Sequence, residues 1–287
     1  MSLMLHGTRP GHGVVLARVA LGLWGGGCRR TSPAPQPGSG QSGAPGTSPQ
    51  EPLTLTVFAA ASMTDCLDEF GTRFEETHPG VSVKTNYSGT QELKIQLEQG
   101  AVCDVFVSAD ESHMKDLVDE GHVSDPKVLA YNKLCVAADK QGGKVSSLKD
   151  LAKKGVRLVV ATPDCPAGKY TRQCWKKMGE SKEFGPALVA GLARNVVSQE
   201  INVKLVLSKV VLGEADACFV YASDVLGQDV RVLELPEDVQ VKATYLVGTG
   251  KRAPSPKTAE EYVHALTSER GADLLKEFGL AVPAKAE

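Results

Sequence analysis

Residues 53–287 alternate between two hydrophobic patterns. Short apolar and β-branched runs predict strands, at 53–59, 81–87, 104–108, 128–138, 156–161 and 217–221. In the stretches between them, apolar residues recur every three or four positions and predict helices, for example at 203–211 before Gly213. This alternation predicts an α/β fold with mostly parallel sheets flanked by helices, and the length of the segment favours two lobes over one.

The first 52 residues differ in composition from the rest of the chain. Residues 1–28 carry Arg9 and Arg18, then a short apolar stretch and three glycines before Cys28, and they resemble a lipoprotein-type signal segment with lipidation at Cys28. The apolar stretch is far too short to span a membrane. Residues 29–52 are rich in Pro, Gly and Ser and predict a flexible tether. The alternative is an N-terminal segment without a targeting role, in which Cys28 is incidental.

The charge balance and the cysteine spacing argue against several function classes. The chain has 32 Lys and Arg against 34 Asp and Glu, a net charge of -2, whereas nucleic-acid-binding proteins carry a strong basic excess. The 7 cysteines show no CxxC spacing, so neither a zinc site nor a thioredoxin-like motif is indicated. The cysteines after Cys28 are compatible with disulfides or with buried thiols. We therefore expect no nucleic-acid partner.

Catalytic motifs are not evident in the sequence. Ser62 lacks a GxSxG surrounding, and none of the 6 histidines lies in a recognisable partner motif. Polar helical residues flank His78, His113 and His264, so these three are predicted to lie on the surface. Residues 248–251 lack the span of a phosphate-binding loop and are expected to form a plain turn. The sequence therefore predicts a protein that is not an enzyme, with a serine-dependent hydrolase as the less favoured alternative.

Small neutral residues stand where predicted strands pass into helices. These junctions contain Ser62, residues 88–90, residues 167–168 and residues 202–203. In open α/β sheets, ligands bind at the carboxyl ends of strands, and the free N–H groups that begin helices attract anions. Four such junctions that meet between two lobes would surround a small oxyanion with neutral donors. The alternative at each position is that the serine is only a helix N-cap.

Four segments of the chain resemble the periplasmic molybdate-binding proteins of ABC importers. They are 56–64 (TVFAAASMT), 88–110 (beginning SGTQEL), 166–170 (PAGKY) and 202–224 (with GEADACFVY at 213–221). The segments follow the order of that family and cover most of residues 53–225. The resemblance implies a two-lobed periplasmic-binding-protein type 2 fold with the ligand in the cleft. Lobe 1 is expected to comprise residues 53–134 and 244–287, and lobe 2 residues 135–243.

The resemblance also implies which residues bind the ligand, a tetrahedral dianion held by neutral hydrogen-bond donors without direct metal ligands and without a cofactor. They are the hydroxyls of Ser62, Thr90 and Tyr221 and the backbone N–H groups of Ala167 and Val203, with Ser88 as the fallback for Thr90. Two residues depart from the family pattern: Lys169, where an aliphatic residue is expected, and Cys165 ahead of the binding turn. Both departures are expected to affect selectivity more than anion binding itself.

The function implied by the resemblance is the substrate-binding component of an ABC importer, which delivers molybdate or tungstate to a permease. Such a protein is expected to be a monomer in the periplasm or at the cell surface, attached to the membrane only through a lipid on Cys28. The alternative is a receptor for another small oxyanion, such as sulfate, on the same fold. An amino-acid ligand is disfavoured, because no Arg lies within the four segments and Arg172 is the nearest.

Overall fold

The computed structural model describes residues 53–141 and 143–284. The predicted signal segment 1–28, the predicted tether 29–52 and Cys28 lie outside the described residues, so their roles stay predictions. Within the described part, strands and helices alternate as the hydrophobic pattern predicts. None of the described helices combines the length and the apolar character that crossing a bilayer requires.

The described residues form nine strands, eight α-helices and three short 3-10 helices. The strands are β1 (Leu53–Ala60), β2 (Val81–Ser88), β3 (Val105–Ser108), β4 (Val123–Asp139), β5 (Leu158–Ala161), β6 (Val196–Glu200), β7 (Ala217–Tyr221), β8 (Val230–Glu234) and β9 (Lys242–Gly250). The α-helices are α1 (Thr64–Thr77), α2 (Thr90–Glu98), α3 (Glu111–Asp119), α4 (Pro166–Glu180), α5 (Gly185–Asn195), α6 (Val203–Val211), α7 (Pro256–Leu266) and α8 (Glu269–Glu277). The 3-10 helices are Ala61–Met63, Leu148–Ala152 and Ala222–Val225.

Two groups of strands are joined through the long strand β4. In the first group, which we call lobe 1 with its helices, β1 pairs in parallel with β2 and β3, and β9 pairs antiparallel with β3. In the second group, lobe 2, β5 pairs in parallel with β6 and β7. Strand β4 pairs antiparallel with β9 from Val123 to Lys133 and with β7 from Leu134 to Ala138, and β8 pairs with its other edge. The predicted two-lobed α/β fold is confirmed, and the residue limits of the lobes stay a prediction.

The central strands are covered on both faces, which explains why they appear in the sequence as continuous apolar runs. Every residue of β3 and β7 is buried, as are the last four residues of β1. Helix α1 packs its apolar face, with Leu67, Phe70 and Phe74, into the core of lobe 1. The rings of Phe70 and Tyr262 meet edge to face at 4.9 Å. These cores fix the carboxyl ends of β1 and β7, where the chain turns into the cleft.

Three strands and one helix are missing from the sequence prediction, namely β6, β8, β9 and α5. The expected plain turn at 248–251 is wrong, because Gly248 and Gly250 belong to β9 and the turn begins only afterwards. A Cβ atom on Gly250 would lie 2.1 Å from the carbonyl oxygen of Cys103. Glycine therefore marks a close approach of two backbones here, and it does not mark a turn.

The cysteines of the described residues behave as small buried apolar groups. All six are buried and none forms a disulfide. Burial raises the pKa of the Cys66 thiol to about 12, and burial likewise raises the pKa of Cys103 to about 12. Thiols with such pKa values stay protonated and unreactive at neutral pH. Of the two possibilities that the spacing leaves open, the structure has buried thiols.

Of the three histidines that are predicted to lie on the surface, one is exposed, one is half-buried and one is buried. His264 is exposed, and His78 is half-buried with its ring stacked on Phe74 at 3.8 Å. The prediction is wrong for His113, which is buried. Helix α3 begins at the N-cap Asp110, whose carboxylate accepts the backbone N–H of His113 at 3.0 Å and contacts its ring at 2.8 Å. This local carboxylate draws the histidine inward from a helix whose sequence looks polar.

Candidate anion site

The predicted strand–helix junctions meet around one small pocket between the lobes. Its described lining consists of Ala60, Ala61, Ser62, Ser88, Gly89, Thr90, Ala109, Cys165, Pro166, Ala167, Asn202, Val203 and Tyr221. The pocket is small: the space between its atoms is about 210 Å³, including the part open to solvent. Among the described lining residues no side chain carries a charge. The pocket therefore suits a small ligand that is held by neutral groups.

Ser62 lies in the short 3-10 helix Ala61–Met63 that links β1 to α1. Its hydroxyl does not cap a helix, because neither the 3-10 helix nor α1 has a side-chain cap at its start. The alternative that Ser62 is only a helix N-cap is therefore wrong. The Ser62 Oγ atom lies 2.8 Å from the Oη atom of Tyr245 on β9. A hydroxyl that is not used as a cap can face a ligand.

Thr90 and Ser88 differ in the availability of their protons. Thr90 is the first residue of α2, is fully buried, and its Oγ1 atom accepts the backbone N–H of Ala109 at 3.1 Å. Its own O–H proton has no acceptor among the described residues. The Ser88 hydroxyl instead donates to the carboxylate of Glu92. Thr90 can thus donate to a ligand while Ser88 is occupied, which favours the primary prediction over its fallback.

Ala167 and Val203 bring backbone donors from lobe 2. Pro166 begins α4, so Ala167 lies in its first turn, and Val203 is the first residue of α6. No helical carbonyl can accept the N–H groups of a first turn, and these groups carry the positive end of the helix dipole. Gly168 allows α4 to approach its preceding loop, because a Cβ atom there would lie 1.8 Å from the carbonyl oxygen of Thr162. The tight turn aims the N-terminus of α4 at the pocket.

Cys165 places a thiol beside these backbone donors. Burial raises the pKa of Cys165 to about 11, and the N–H groups of Ala167 and Gly168 partly oppose that shift as hydrogen-bond partners. The thiol therefore stays neutral and adds no charge to the pocket lining. A neutral sulfur is a weak acceptor, so it holds these N–H groups less firmly than an oxygen would.

Tyr221 ends β7 and presents a phenol without a partner. Its side chain is 1% exposed, and its Oη atom has no hydrogen-bond partner among the described residues. Burial raises the pKa of Tyr221 well above its ordinary value of 10.0, so the phenol keeps its proton. A buried hydroxyl without a partner costs the folded protein about 1–3 kcal/mol. Such a group is explained when it donates to a bound ligand.

Asp224 is a buried carboxyl group that contacts the backbone of Tyr221 and that the sequence analysis did not mark as a site residue. Its Oδ2 atom accepts the backbone N–H of Tyr221 at 3.1 Å, while Oδ1 has no partner among the described residues. Burial raises the pKa of Asp224 to about 7, opposed by the charge of Lys204 and reinforced by that of Asp65. The protonation state of Asp224 therefore changes near neutral pH, close to the pocket.

Lys169 departs from the family pattern without entering the pocket. Its ammonium group contacts the Asp110 carboxylate at 3.1 Å and the Ser112 hydroxyl at 2.7 Å, and Lys169 is not part of the described lining. Burial alone would raise the pKa of Asp110, but hydrogen bonds from His113 and the Lys169 charge lower it below its ordinary value. Because Lys169 belongs to α4 and Asp110 precedes α3, this ion pair connects the two lobes.

Further contacts across the cleft show that the lobes are closed on each other. Lys204 of α6 binds Asp65 of α1 at 2.6 Å, and the Gln91 amide donates to the carbonyl oxygen of Ile201 at 2.7 Å. A Cβ atom on Gly89 would lie 2.4 Å from that same carbonyl oxygen. Glycine at position 89 is therefore needed for the lobes to come this close.

All five primary residues of the sequence prediction line the pocket, as does the fallback Ser88. The prediction missed Tyr245, which contacts Ser62, and Asn132, whose side chain lowers the pKa of Tyr245. The apolar, aromatic and β-branched run at 243–247 (ATYLV) was the available signal for Tyr245, since such a run is typical of a strand. Nothing in the sequence indicates that this strand passes beneath Ser62.

The described residues lack the groups that hydrolysis by Ser62 would require. No histidine and no carboxylate lines the pocket among them, and the hydroxyl neighbour of Ser62 is a phenol with a raised pKa. Within the same residues, no group of three or more His, Cys, Asp or Glu side chains could hold a metal ion. The arrangement offers hydrogen-bond donors to an anion and no nucleophile–base pair.

Comparison with known proteins places these features in a family. The family model described as "Bacterial extracellular solute-binding protein" matches residues 55–281. The molybdate-binding protein ModA of Mycobacterium tuberculosis is 34% identical over 275 residues, which cover 94% of this chain and 97% of that protein. The putative ABC transporter substrate-binding lipoprotein YvgL of Bacillus subtilis is 30% identical over 239 residues, which cover 81% of this chain and 88% of that protein. The periplasmic molybdate-binding protein of Azotobacter vinelandii has the same fold, with a TM-score of 0.71 at 21% identity, covering 80% of this chain and 100% of that chain.

Proposed function

Because this chain belongs to the bacterial extracellular solute-binding protein family, we propose that it is the substrate-binding component of an ABC importer and that it binds molybdate or tungstate. The observation that carries the proposal is the convergence of three hydroxyls and two helix N-termini on one pocket whose described lining residues carry no charged side chain. Relatives that are named for molybdate binding and for ABC transport support the ligand and the partner. A permease is then the protein that receives the ligand.

A donor-only pocket selects anions by their protonation state. Hydrogen bonds from N–H and O–H groups to a dianion are charge-assisted and therefore stronger than neutral ones. The hydroxyl of Tyr221 and the N–H groups of Ala167 and Val203 offer protons and no free carboxylate acceptor. A protonated oxyanion, such as hydrogen phosphate, would turn its own proton toward one of these donors. Molybdate and tungstate carry no proton at neutral pH, so the pocket accepts them without that conflict.

Size then has to separate these ligands from sulfate, which is also an unprotonated dianion. Sulfate is the smaller ion, and a cage fitted to molybdate leaves the hydrogen bonds to sulfate long and weak. The cage can keep its dimensions because its members sit on rigid elements, with Thr90 and Val203 beginning helices and Tyr221 ending a fully buried strand. Molybdate and tungstate have nearly the same size and charge, so the pocket takes either.

Closure of the lobes couples ligand binding to delivery. The ligand contacts residues from both lobes, so its binding energy favours the closed arrangement over an open one. The ion pairs Lys169–Asp110 and Lys204–Asp65 then form across the cleft. A permease that recognises this closed shape receives only loaded protein.

The family is extracellular, and we extend this to a periplasmic or cell-surface protein with a lipid on Cys28. The glycines before Cys28 and the tether at 29–52 support this attachment, as does the lipoprotein name of the Bacillus subtilis relative. The protein acts as a monomer in this proposal. Mass spectrometry of protein from a membrane fraction, with Cys28→Ser as the control, tests the anchor. Unmodified Cys28 in wild-type protein would contradict it.

Titration calorimetry with molybdate, tungstate, sulfate and phosphate tests the ligand. We expect tight one-to-one binding of the first two anions and weak binding of the others. Ser62→Ala should lose about 10–150-fold in affinity for molybdate, the equivalent of ~1.5–3 kcal/mol for a hydrogen bond to a charged group. Ser208→Ala is the matched control, because the Ser208 hydroxyl donates to the Leu205 carbonyl within α6 and Ser208 is not among the described lining residues. Tightest binding of sulfate would replace the proposed ligand, and no binding of any anion would refute the oxyanion proposal.

A further inference from the structure

The phenol of Tyr245 lies beneath the anion pocket and contacts one of its donors. Its Oη atom is 2.8 Å from the Oγ atom of Ser62, and the tyrosine side chain is fully buried. Tyr245 is not part of the described pocket lining. It belongs to β9, which pairs with both β3 and β4. Tyr245 thus reaches the pocket through the hydrogen bond of its hydroxyl to Ser62 and through the edge-to-face contact of its ring with Tyr221, whose centroid lies 5.8 Å away.

The direction of the Ser62–Tyr245 hydrogen bond follows from counting protons. A serine hydroxyl has one proton and two lone pairs. When Ser62 donates that proton to an anion, its bond to Tyr245 can exist only if the phenol donates and Ser62 accepts. Without that phenol, the Ser62 hydroxyl can rotate and turn a lone pair toward the ligand.

Tyr245 is held in a state in which it can donate. Burial raises the pKa of Tyr245 well above its ordinary value of 10.0, and the Asn132 side chain, which lowers it, only partly opposes this. The phenol therefore keeps its proton throughout the neutral range. Asn132 is itself fixed, since its amide nitrogen donates to the Ser223 hydroxyl at 2.8 Å and its carbonyl oxygen accepts the backbone N–H of Lys133 at 2.9 Å. The phenol proton therefore stays available to Ser62.

We infer that Tyr245 is a positioning residue of the anion site, whose hydroxyl donates to Ser62 and thereby turns the Ser62 proton toward the ligand. This inference rests on the proposed function. It adds that part of the selectivity against protonated oxyanions comes from Tyr245, since the phenol occupies a lone pair with which Ser62 could otherwise accept a proton from hydrogen phosphate. Linked hydrogen bonds of one direction also strengthen each other.

A double-mutant cycle in the full-length protein tests the inference, with molybdate and phosphate as the titrants. Tyr245→Phe keeps the ring and removes the donor, so molybdate affinity should fall about 3–10-fold, the size of one neutral hydrogen bond. The ratio of molybdate affinity to phosphate affinity should fall with it. In a Ser62→Ala background, Tyr245→Phe should change molybdate affinity less than about twofold, because residues that act through one another are not additive.

Tyr262→Phe is the matched control for loss of a buried phenol. Tyr262 is fully buried in lobe 1, and its hydroxyl has no hydrogen-bond partner among the described residues. Its substitution should leave both affinities unchanged. Thermal unfolding of each variant verifies that it is folded before titration.

The outcomes separate the inference from the proposed function. Equal losses from Tyr245→Phe in the wild-type and Ser62→Ala backgrounds, or an unchanged ratio of molybdate to phosphate affinity, would overturn the role of Tyr245 while wild-type binding stands. Wild-type protein that binds neither molybdate nor tungstate would overturn the proposed function and this inference together. A non-additive cycle with a reduced affinity ratio supports both.

Discussion

Tyr221→Phe should weaken anion binding without destabilising the ligand-free protein. The Tyr221 hydroxyl is buried and has no hydrogen-bond partner among the described residues, so its removal breaks no internal bond and relieves a desolvation cost of up to ~1–3 kcal/mol. In the complex the same hydroxyl would donate to a dianion, a bond that contributes roughly 1.5–3 kcal/mol. We therefore expect molybdate affinity to fall about 10–150-fold, while the Tm of the ligand-free protein stays equal or rises.

Calorimetry and thermal unfolding, each with and without molybdate, measure the two effects of Tyr221→Phe. Tyr262→Phe is again the matched control, because it also removes a buried hydroxyl without a described partner, in the core of lobe 1. The control should gain or keep stability and lose no affinity. Wild-type affinity in Tyr221→Phe would refute the assignment of Tyr221 to the ligand. A clear drop in its ligand-free Tm would refute the view that this hydroxyl has no partner inside the protein.

Three further predictions concern the carboxyl group beside the site and the closing of the lobes. The pKa of Asp224 is about 7 in the folded protein, above its ordinary value of 3.8. The stability that the protonated carboxyl group provides is therefore complete below pH 3.8 and is lost as the pH rises through 7. The free energy of unfolding should fall by about 2–3 kcal/mol between pH 5 and pH 8 for this reason, and Asp224→Asn should remove that fall in urea titrations. Gly89→Ala should weaken molybdate binding at least about tenfold in calorimetry, because its Cβ atom would lie 2.4 Å from the carbonyl oxygen of Ile201 in the closed protein. Lys169→Met should weaken binding about 2–5-fold, because it removes the ion pair with Asp110 across the cleft.

Each of these variants has a control or a contradicting result. A pH dependence of stability that is the same in Asp224→Asn and wild type would refute the role of that carboxyl group. Gly179→Ala places a methyl group in ordinary contact at 3.7 Å and should bind as wild type does. Lys209→Met removes an ion pair within lobe 2 and should also leave binding unchanged. Equal effects of Lys169→Met and Lys209→Met would show that the cross-cleft pair does not contribute to closure.

The site could be predicted from the sequence to the extent that it is built from local structure. Strands buried on both faces give continuous apolar runs, and the residues that follow them, such as Ser62 and Thr90, begin helices. Because strands of a parallel sheet end at the same edge, marking these junctions also marks where they meet. Placing Tyr221 at the end of a strand rested on the same logic together with the family resemblance.

The parts that the sequence did not reveal depend on contacts between distant residues. The partner of Ser62 is 183 positions away, on a strand whose apolar run was not recognised. The Ser62 hydroxyl resembled a helix cap in sequence, because a cap and a ligand donor require the same residue type. His113 looked exposed on a polar helix, yet the Asp110 carboxylate holds it inside. The sequence also does not show that the ammonium group of Lys169 contacts the opposite lobe.

Diffraction from crystals of the protein grown with tungstate tests the central claim most directly, because tungsten scatters anomalously and reveals its own position. We expect one strong anomalous peak in the pocket, with oxygen atoms within hydrogen-bonding distance of the hydroxyls of Ser62, Thr90 and Tyr221 and of the N–H groups of Ala167 and Val203. A peak elsewhere on the protein, or no peak at saturating tungstate, would contradict it.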